Sequence, residues 1–276
     1  MKFSSLINMA LAASHAAFAA VSSSWRFTGN PKGGLRDITF PFKMEGASHK
    51  TGYFFAQQFN FQGGNSIALC GVRTQPNGPG GRSVVRADFS TYQAGSTTED
   101  SNCRGDVDGG PGVSCSVAFY SDYAAIFNIL IENVSGTTWK ATVINTSTGR
   151  DIRIGTWTLP SSTGGINSND AANLGLVQYS PWNTGRHYCG KGTLPRTTVI
   201  MYNPFSRTSG AGNGILNQPY EIFDCVTAQG FSTQKVPNGW HIQCGYYSAP
   251  SRRSEALMLP DAAETAEEES RDSVRS

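Results

Sequence analysis

The chain has 276 residues, and its 22 lysine and arginine residues nearly balance its 20 aspartate and glutamate residues, leaving a formal net charge of +2 at pH 7. Nucleic-acid binding usually needs a concentrated basic surface, so this scattered charge gives no reason to expect a nucleic-acid partner. Beyond the N-terminus, no segment approaches the ~18 consecutive apolar residues of a membrane-spanning helix, and we predict no membrane span.

Residues 1–19 have the features of a secretory signal peptide. Lys2 supplies a positive charge, a mostly small and apolar stretch follows, and Ala17-Phe18-Ala19 fits the pattern of a cleavage site. A membrane anchor is the alternative, but the apolar run is short and polar residues interrupt it. The N-terminus thus predicts a secreted, extracellular protein.

Short runs of alternating apolar and polar residues fill residues 52–160, with Gly, Asn, Ser and Pro between them. Such runs are typical of antiparallel strands. Residues 123–133 alternate in this way, and the following run places Trp139, Ala141 and Val143 on one face, so Trp139 is expected in the core. The residues between these two runs, 135–138, suit a hairpin connection.

One all-β domain is expected over residues 20–250, an antiparallel β-sandwich of the jelly-roll or lectin-like kind. Its second part is richer in loops and aromatic residues, with short strands expected at 174–180, 196–202, 219–224 and 240–247. Residues 251–276 carry many acidic residues and no aromatic residue. Because such a composition buries too little apolar surface to offset chain entropy, we predict a disordered acidic tail.

The cysteines favour disulfides, because their number is even and the predicted compartment is oxidising. Cys103–Cys115 is the first predicted bridge, since it would close a loop rich in Gly and Asp. Among the 15 possible pairings, the other four cysteines are then expected to pair as Cys225–Cys244 and Cys70–Cys189. The spacing of cysteines and histidines fits no zinc site, and we expect no cofactor.

Two sequons predict N-glycosylation. They are Asn133-Val134-Ser135 and Asn145-Thr146-Ser147, and each falls at the end of a predicted strand, where a glycan could lie in solvent.

The order of short motifs over residues 50–190 resembles a known family. The motifs include GYFFAQQFNF, DFSTY, GGPGVSC, NTSTGR and IGTW, in that order along the chain. This order resembles the secreted bacterial and fungal family known only as domain of unknown function 3472. The resemblance implies a β-rich extracellular domain found in polysaccharide-degrading settings, and it assigns no functional residue. Tyr92 stands where the family tends to have tryptophan.

Candidate catalytic groups are few. Glycoside hydrolysis needs two carboxylates about 5–9 Å apart, and Asp88 and Glu221 are the candidates because they fall in strand-like, aromatic segments. There is no G-x-S-x-G nucleophile motif. His187 is the histidine to test, because Trp182 and Arg186 lie close to it in sequence.

A calcium site at Asp106 and Asp108 is a further possibility, because oxygen ligands alternate there beside glycines. The spacing fails the full calcium-loop pattern, since Arg104 occupies an expected ligand position. We therefore favour an ordinary Asp/Gly turn and predict no metal.

Carbohydrate binding explains more of the aromatic residues, because sugars present apolar C–H faces together with many hydroxyl groups. The predicted binding residues are Tyr179, Trp182, Asn183, Arg186, His187 and Tyr188, with Tyr92 and Trp240 as further candidates. The sequence therefore predicts a secreted, monomeric, glycan-binding protein. The alternatives are a polysaccharide-degrading glycosidase or lyase, and a secreted effector or toxin-like protein that binds a host partner.

Overall fold

The structure, a computed structural model, describes residues 19–179, 194–222, 226–227 and 229–246. Two antiparallel sheets pack against each other, which confirms the predicted all-β sandwich. The one helical element in these ranges is a 3₁₀ turn at Pro79–Gly81. None of the described residues belongs to a helix long and apolar enough to cross a membrane.

Nine strands of the described chain form the larger sheet. They are β1 (Ala19–Phe27), β3 (Tyr53–Asn60), β4 (Ile67–Thr74), β5 (Val84–Thr91), β6 (Cys103–Arg104), β7 (Val113–Tyr120), β11 (Leu174–Tyr179), β13 (Gly214–Leu216) and β14 (Tyr220–Ile222). Their order is β13-β1-β11-β3-β4-β5-β7-β6, and β14 also pairs with β1.

Within the same described ranges, seven strands form the smaller sheet. They are β2 (Asp37–Lys43), β8 (Ile126–Ser135), β9 (Thr138–Asn145), β10 (Asp151–Thr158), β12 (Thr197–Tyr202), β15 (Ser232–Val236) and β16 (Gly239–Cys244). Their order is β10-β9-β8-β2-β12-β16-β15.

The core lies between the two sheets and is rich in aromatic rings. Trp139 is completely buried, as its alternation with polar neighbours predicted. Trp157 of β10 stacks on Phe89 of β5 with ring centroids 4.4 Å apart, and Phe61 approaches it edge-on at 5.7 Å. Stacked and edge-to-face contacts are the favoured aromatic geometries, so these rings join the two sheets.

The predicted Cys103–Cys115 disulfide is present. It links a directly opposed pair of residues on β6 and β7. Its sulfur atoms lie against Gly155 of β10, where an added Cβ would come within 2.5 Å of both sulfurs. Glycine at this position therefore lets the second sheet approach the disulfide closely.

The other two predicted bridges are not seen. Cys70 and Cys244 are free, buried thiols, and their predicted partners Cys189 and Cys225 lie outside the described residues. Burial raises the pKa of both thiols, and that of Cys244 reaches about 12, with the Glu221 carboxylate adding to the effect.

We expect Cys70 and Cys244 to resist iodoacetamide at pH 8 in the folded protein, because thiols with raised pKa remain protonated and buried. Both should alkylate fully after denaturation without reductant. Peptide mapping by mass spectrometry measures each site separately. Resistance that persists in denaturant until a reductant is added would instead show that these cysteines are disulfide-bonded.

Candidate functional site

The larger sheet has a second face, turned away from the aromatic core, which we call the outward face. Side chains alternate along β3, so that Tyr53 and Phe55 join the core while Phe54 and Ala56 lie on the outward face. Leu176 of β11 completes a small separate apolar cluster with Phe54 and Ala56. A small apolar patch thus lies in the middle of this face, and its three side chains are at most 6% exposed.

A buried ion-pair network borders that patch. The Asp88 carboxylate, whose side chain is 7% exposed, accepts hydrogen bonds from Arg73 Nε at 2.8 Å and from Arg86 Nη2 at 2.9 Å and Nε at 3.1 Å. Arg73 and Arg86 are directly opposed on β4 and β5. Both oxygens of Asp88 are therefore occupied by guanidinium groups, and this carboxylate positions the two arginines instead of acting as a free base.

Arg73 also lies over an aromatic ring. Its guanidinium carbon is 3.7 Å from the centroid of Phe54, which is a cation–π contact. Gly71 makes room for this arrangement, since a Cβ there would lie 2.7 Å from the Phe54 ring and 2.2 Å from the carbonyl oxygen of Phe55. Arg73 is thus fixed by a carboxylate and by a ring.

Hydroxyl groups continue the polar row beyond Asp88. The Oγ atoms of Ser90 and Ser114 are 3.0 Å apart on neighbouring strands. At the end of β5 the Tyr92 hydroxyl donates to Asp108 Oδ2 at 3.1 Å. Burial, and then the nearby Asp108 carboxylate, raise the pKa of Tyr92, so its hydroxyl remains a donor over the whole physiological range.

The predicted carboxylate pair of Asp88 and Glu221 is wrong. Glu221 is paired with Val21, a core residue, so the two acids lie on opposite faces of the sheet. Five strand-to-strand steps separate β14 from β5, which at ~4.8 Å each amounts to about 24 Å. The sequence does not reveal strand order, and the acids cannot flank one sugar linkage. The third catalytic candidate, His187, lies outside the described residues.

The predicted glycan-binding cluster is only partly visible. Tyr179 is 7% exposed and its ring lies 4.7 Å from that of Tyr53, so it is a core residue and the prediction of an exposed platform is wrong. The other five predicted residues lie outside the described ranges: Trp182, Asn183, Arg186, His187 and Tyr188.

The two further aromatic candidates are half-buried. Tyr92 lies at the end of β5, beside the outward face. Trp240 donates its indole N–H to the Leu216 carbonyl oxygen at 3.1 Å, and the ammonium group of Lys235 lies 4.5 Å above its ring. The Trp240 ring therefore already has a cation on its face.

The Asp106–Asp108 turn shows no calcium geometry. Asp106 pairs with Arg104 at 3.6 Å, and Asp108 accepts the Tyr92 hydroxyl. Within the described ranges, no three His, Cys, Asp or Glu side chains come together as a metal-binding group.

Sequence reasoning missed both arginines of the outward face. Arg73 and Arg86 are ordinary alternating strand residues, and only the β4–β5 register brings them to Asp88. The available signal was that Arg86 and Asp88 are two residues apart on one strand, hence on one face.

The fold and this face define a two-sheet β-sandwich with a polar row on the outward face of the larger sheet. No family model and no curated protein matches the chain. Among solved structures, scytalido-glutamic peptidase with a peptide-based transition state analog is similar at 11% identity and a TM-score of 0.42, over 83% of this chain and 98% of that chain.

SCP-B, a member of the eqolisin family of peptidases in complex with the tripeptide Ala-Ile-His, is similar at 10% identity and a TM-score of 0.39, with 83% of this chain and 98% of that chain covered. The enzymatically active domain of bacteriophage CBA120 tailspike protein 2 is similar at 10% identity and a TM-score of 0.28, with 74% and 24% covered. Likenesses at these values give no argument about the activity of this chain.

Proposed function

We propose that the chain is a secreted carbohydrate-binding protein whose glycan lies across the outward face of the larger sheet. The observation that carries this proposal is the fixed row of Arg73, Asp88 and Arg86, in which the Arg73 and Arg86 side chains are 28% and 40% exposed. The Phe54 ring is covered by Arg73, so a sugar would contact the two guanidinium groups, which are hydrogen-bond donors with fixed directions.

The arginines supply the donors in this scheme. Each guanidinium carries five N–H groups, and Asp88 takes one from Arg73 and two from Arg86, so the others can reach sugar hydroxyl or carboxylate oxygens. Because Asp88 and the Phe54 ring hold Arg73, little side-chain freedom is lost on binding. The hydroxyls of Ser90 and Ser114 extend the same polar row.

The Cys103–Cys115 disulfide supports secretion, because disulfides persist mainly in oxidising compartments. The resemblance of residues 50–190 to an extracellular family points the same way. Asp88 and Glu221 lie too far apart to serve as the catalytic pair of a polysaccharide-degrading enzyme. Nothing in the described residues favours such an enzyme over a binding protein.

A panel of immobilised neutral and uronic-acid polysaccharides tests the proposal. We expect retention of the wild type on at least one of them, and Arg73→Gln to weaken retention by about 10-fold or more, because a hydrogen bond from a charged group is worth roughly 1.5–3 kcal/mol. Loss of affinity with rising salt would indicate an acidic glycan.

Arg82→Gln is the matched control. Arg82 also lies 3.7 Å above an aromatic ring, that of Tyr120, but it makes no contact with Asp88. Its retention should equal that of the wild type. Equal retention of Arg73→Gln and wild type would show that the outward face is not the binding site. Release of reducing ends from a polysaccharide would show that the protein hydrolyses it, against the proposal of binding alone.

A further inference from the structure

The two sequons differ in how the asparagine side chain is held. At Asn133, Nδ2 donates to the carbonyl oxygens of Gly136 at 2.9 Å and Thr138 at 3.1 Å, and Oδ1 accepts from Arg36. Both amide hydrogens are therefore used inside the β8–β9 hairpin. A sugar on Nδ2 would replace one of these hydrogens and enter the turn.

Asn145, by contrast, has room for a substituent. Its Oδ1 accepts the backbone N–H groups of Ser147 at 2.9 Å and Thr148 at 3.2 Å, which fixes the turn after β9. Among the described residues, Ser121 Oγ is the one acceptor for Asn145 Nδ2, at 2.8 Å. One amide hydrogen is left over, so a sugar on Nδ2 leaves every backbone hydrogen bond of this turn intact.

Asn145 also lines a groove of about 390 Å³. Apolar side chains form much of its wall, including Phe119, Tyr120, Val143 and Ile152. Tyr120 is 44% exposed, and the Arg82 guanidinium lies 3.7 Å from the centroid of its ring. The volume falls within the 300–1,000 Å³ range of small-ligand sites.

We propose that Asn145, and not Asn133, carries an N-linked glycan, and that its first sugar units lie in this groove. The occupant is attached to the groove's own wall, so its local concentration is high whatever the affinity of a free sugar. The apolar C–H faces of the sugar pack against Ile152 and against the part of Tyr120 that Arg82 leaves uncovered. This inference rests on the proposed secretion of the chain, but not on the proposed glycan-binding activity of the outward face.

Secretion of the full chain from a eukaryotic host, followed by glycopeptide mass mapping, tests the choice of sequon. We expect a glycan mass at Asn145 that Ser147→Ala abolishes, with the Asn145 side chain unchanged. Ser135→Ala, the matched change in the other sequon, should leave the mass of the protein the same apart from the substituted atom. A glycan at Asn133, or on neither asparagine, would overturn the proposal.

The groove is tested by comparing glycosylated wild type with Ser147→Ala. Loss of the glycan should lower Tm by about 2–4 °C and speed hydrogen exchange at residues 119–121, because the apolar wall becomes exposed. Both proteins lack the glycan when they are made in bacteria, so the difference in Tm between those two samples measures the effect of the Ser147→Ala substitution alone. Equal Tm and equal exchange in the secreted pair would show that the sugar projects into solvent, against the proposal.

Discussion

Trp157→Ala is expected to lower the free energy of unfolding by about 3–5 kcal/mol, the usual cost of deleting a buried tryptophan side chain. Trp157 is 1% exposed and stacks at 4.4 Å on Phe89 of the opposite sheet. Its removal leaves a cavity at the point where the two sheets meet, and the surrounding strands cannot close fully over it. Urea denaturation followed by circular dichroism measures the change.

Two further variants separate packing from other effects. Trp157→Phe should cost less than about 1.5 kcal/mol, because a ring remains and a buried indole N–H is removed that has no hydrogen-bond partner in the part of the chain that the structure describes. Phe205→Ala, at a side chain that is 48% exposed, should stay within about 0.5 kcal/mol of the wild type. A loss below 1 kcal/mol in Trp157→Ala would contradict the inter-sheet role of this ring.

The Cys103→Ala, Cys115→Ala double variant is expected to lose about 2–4 kcal/mol of stability. The two cysteines are 12 residues apart in sequence, and the bridge restricts the unfolded chain over that loop. In the folded protein its removal also takes away the sulfur atoms that fill the space beside Gly155. Chemical denaturation of the oxidised wild type and the double variant measures the difference.

Gly105→Ala is the control for that loop, because a Cβ there meets no atom within 4 Å and the residue has no positive φ. Its stability should match that of the wild type. Wild-type protein kept in a strong reductant should fall to the level of the double variant. Full retention of stability under reduction would mean that the bridge contributes nothing measurable.

Local patterns predicted the regular hairpins well. The alternation of Phe127, Ile129 and Ile131 on β8 and of Trp139 on β9 is seen directly in their burial. The hairpin was also predicted, although its connection is two residues long instead of four, because β8 ends at Ser135 and β9 begins at Thr138. The alternation of apolar and polar residues is enough to predict a strand when one face of that strand is buried and the other is exposed to solvent.

Strands without a clean pattern were missed. β2 contains Pro41, which lacks the N–H of a central strand. It is tolerated because β2 pairs with β12 only at Lys43 and Phe42, leaving Pro41 outside that ladder. β1 begins at Ala19, the last residue of the predicted signal peptide, and its polar run of serines hides the alternation.

Only the Arg86–Asp88 part of the candidate site could have been predicted, because the rest of it depends on strand order. Arg73 and Asp88 come together through the β4–β5 register, and Asp88 and Glu221 are separated by the same sheet. Single-strand patterns give the face of a side chain but not its neighbours across the ladder. Predicting which side chains are neighbours in a sheet requires knowledge of contacts between residues far apart in sequence.

Gly155 affects the outer edge of the smaller sheet as well as its interior. β10 is a terminal strand of that sheet, and its ladder with β9 shifts register between Arg153 and Gly155. A bulge of this kind, together with exposed charges at Asp151 and Arg153, discourages another chain from adding a strand. The chain also covers this edge itself, since Thr97 exchanges backbone hydrogen bonds with Thr158 and Thr98 Oγ1 donates to the Thr156 carbonyl oxygen. The glycine that admits the disulfide therefore lies at an irregularity of an edge strand that offers little room for another chain.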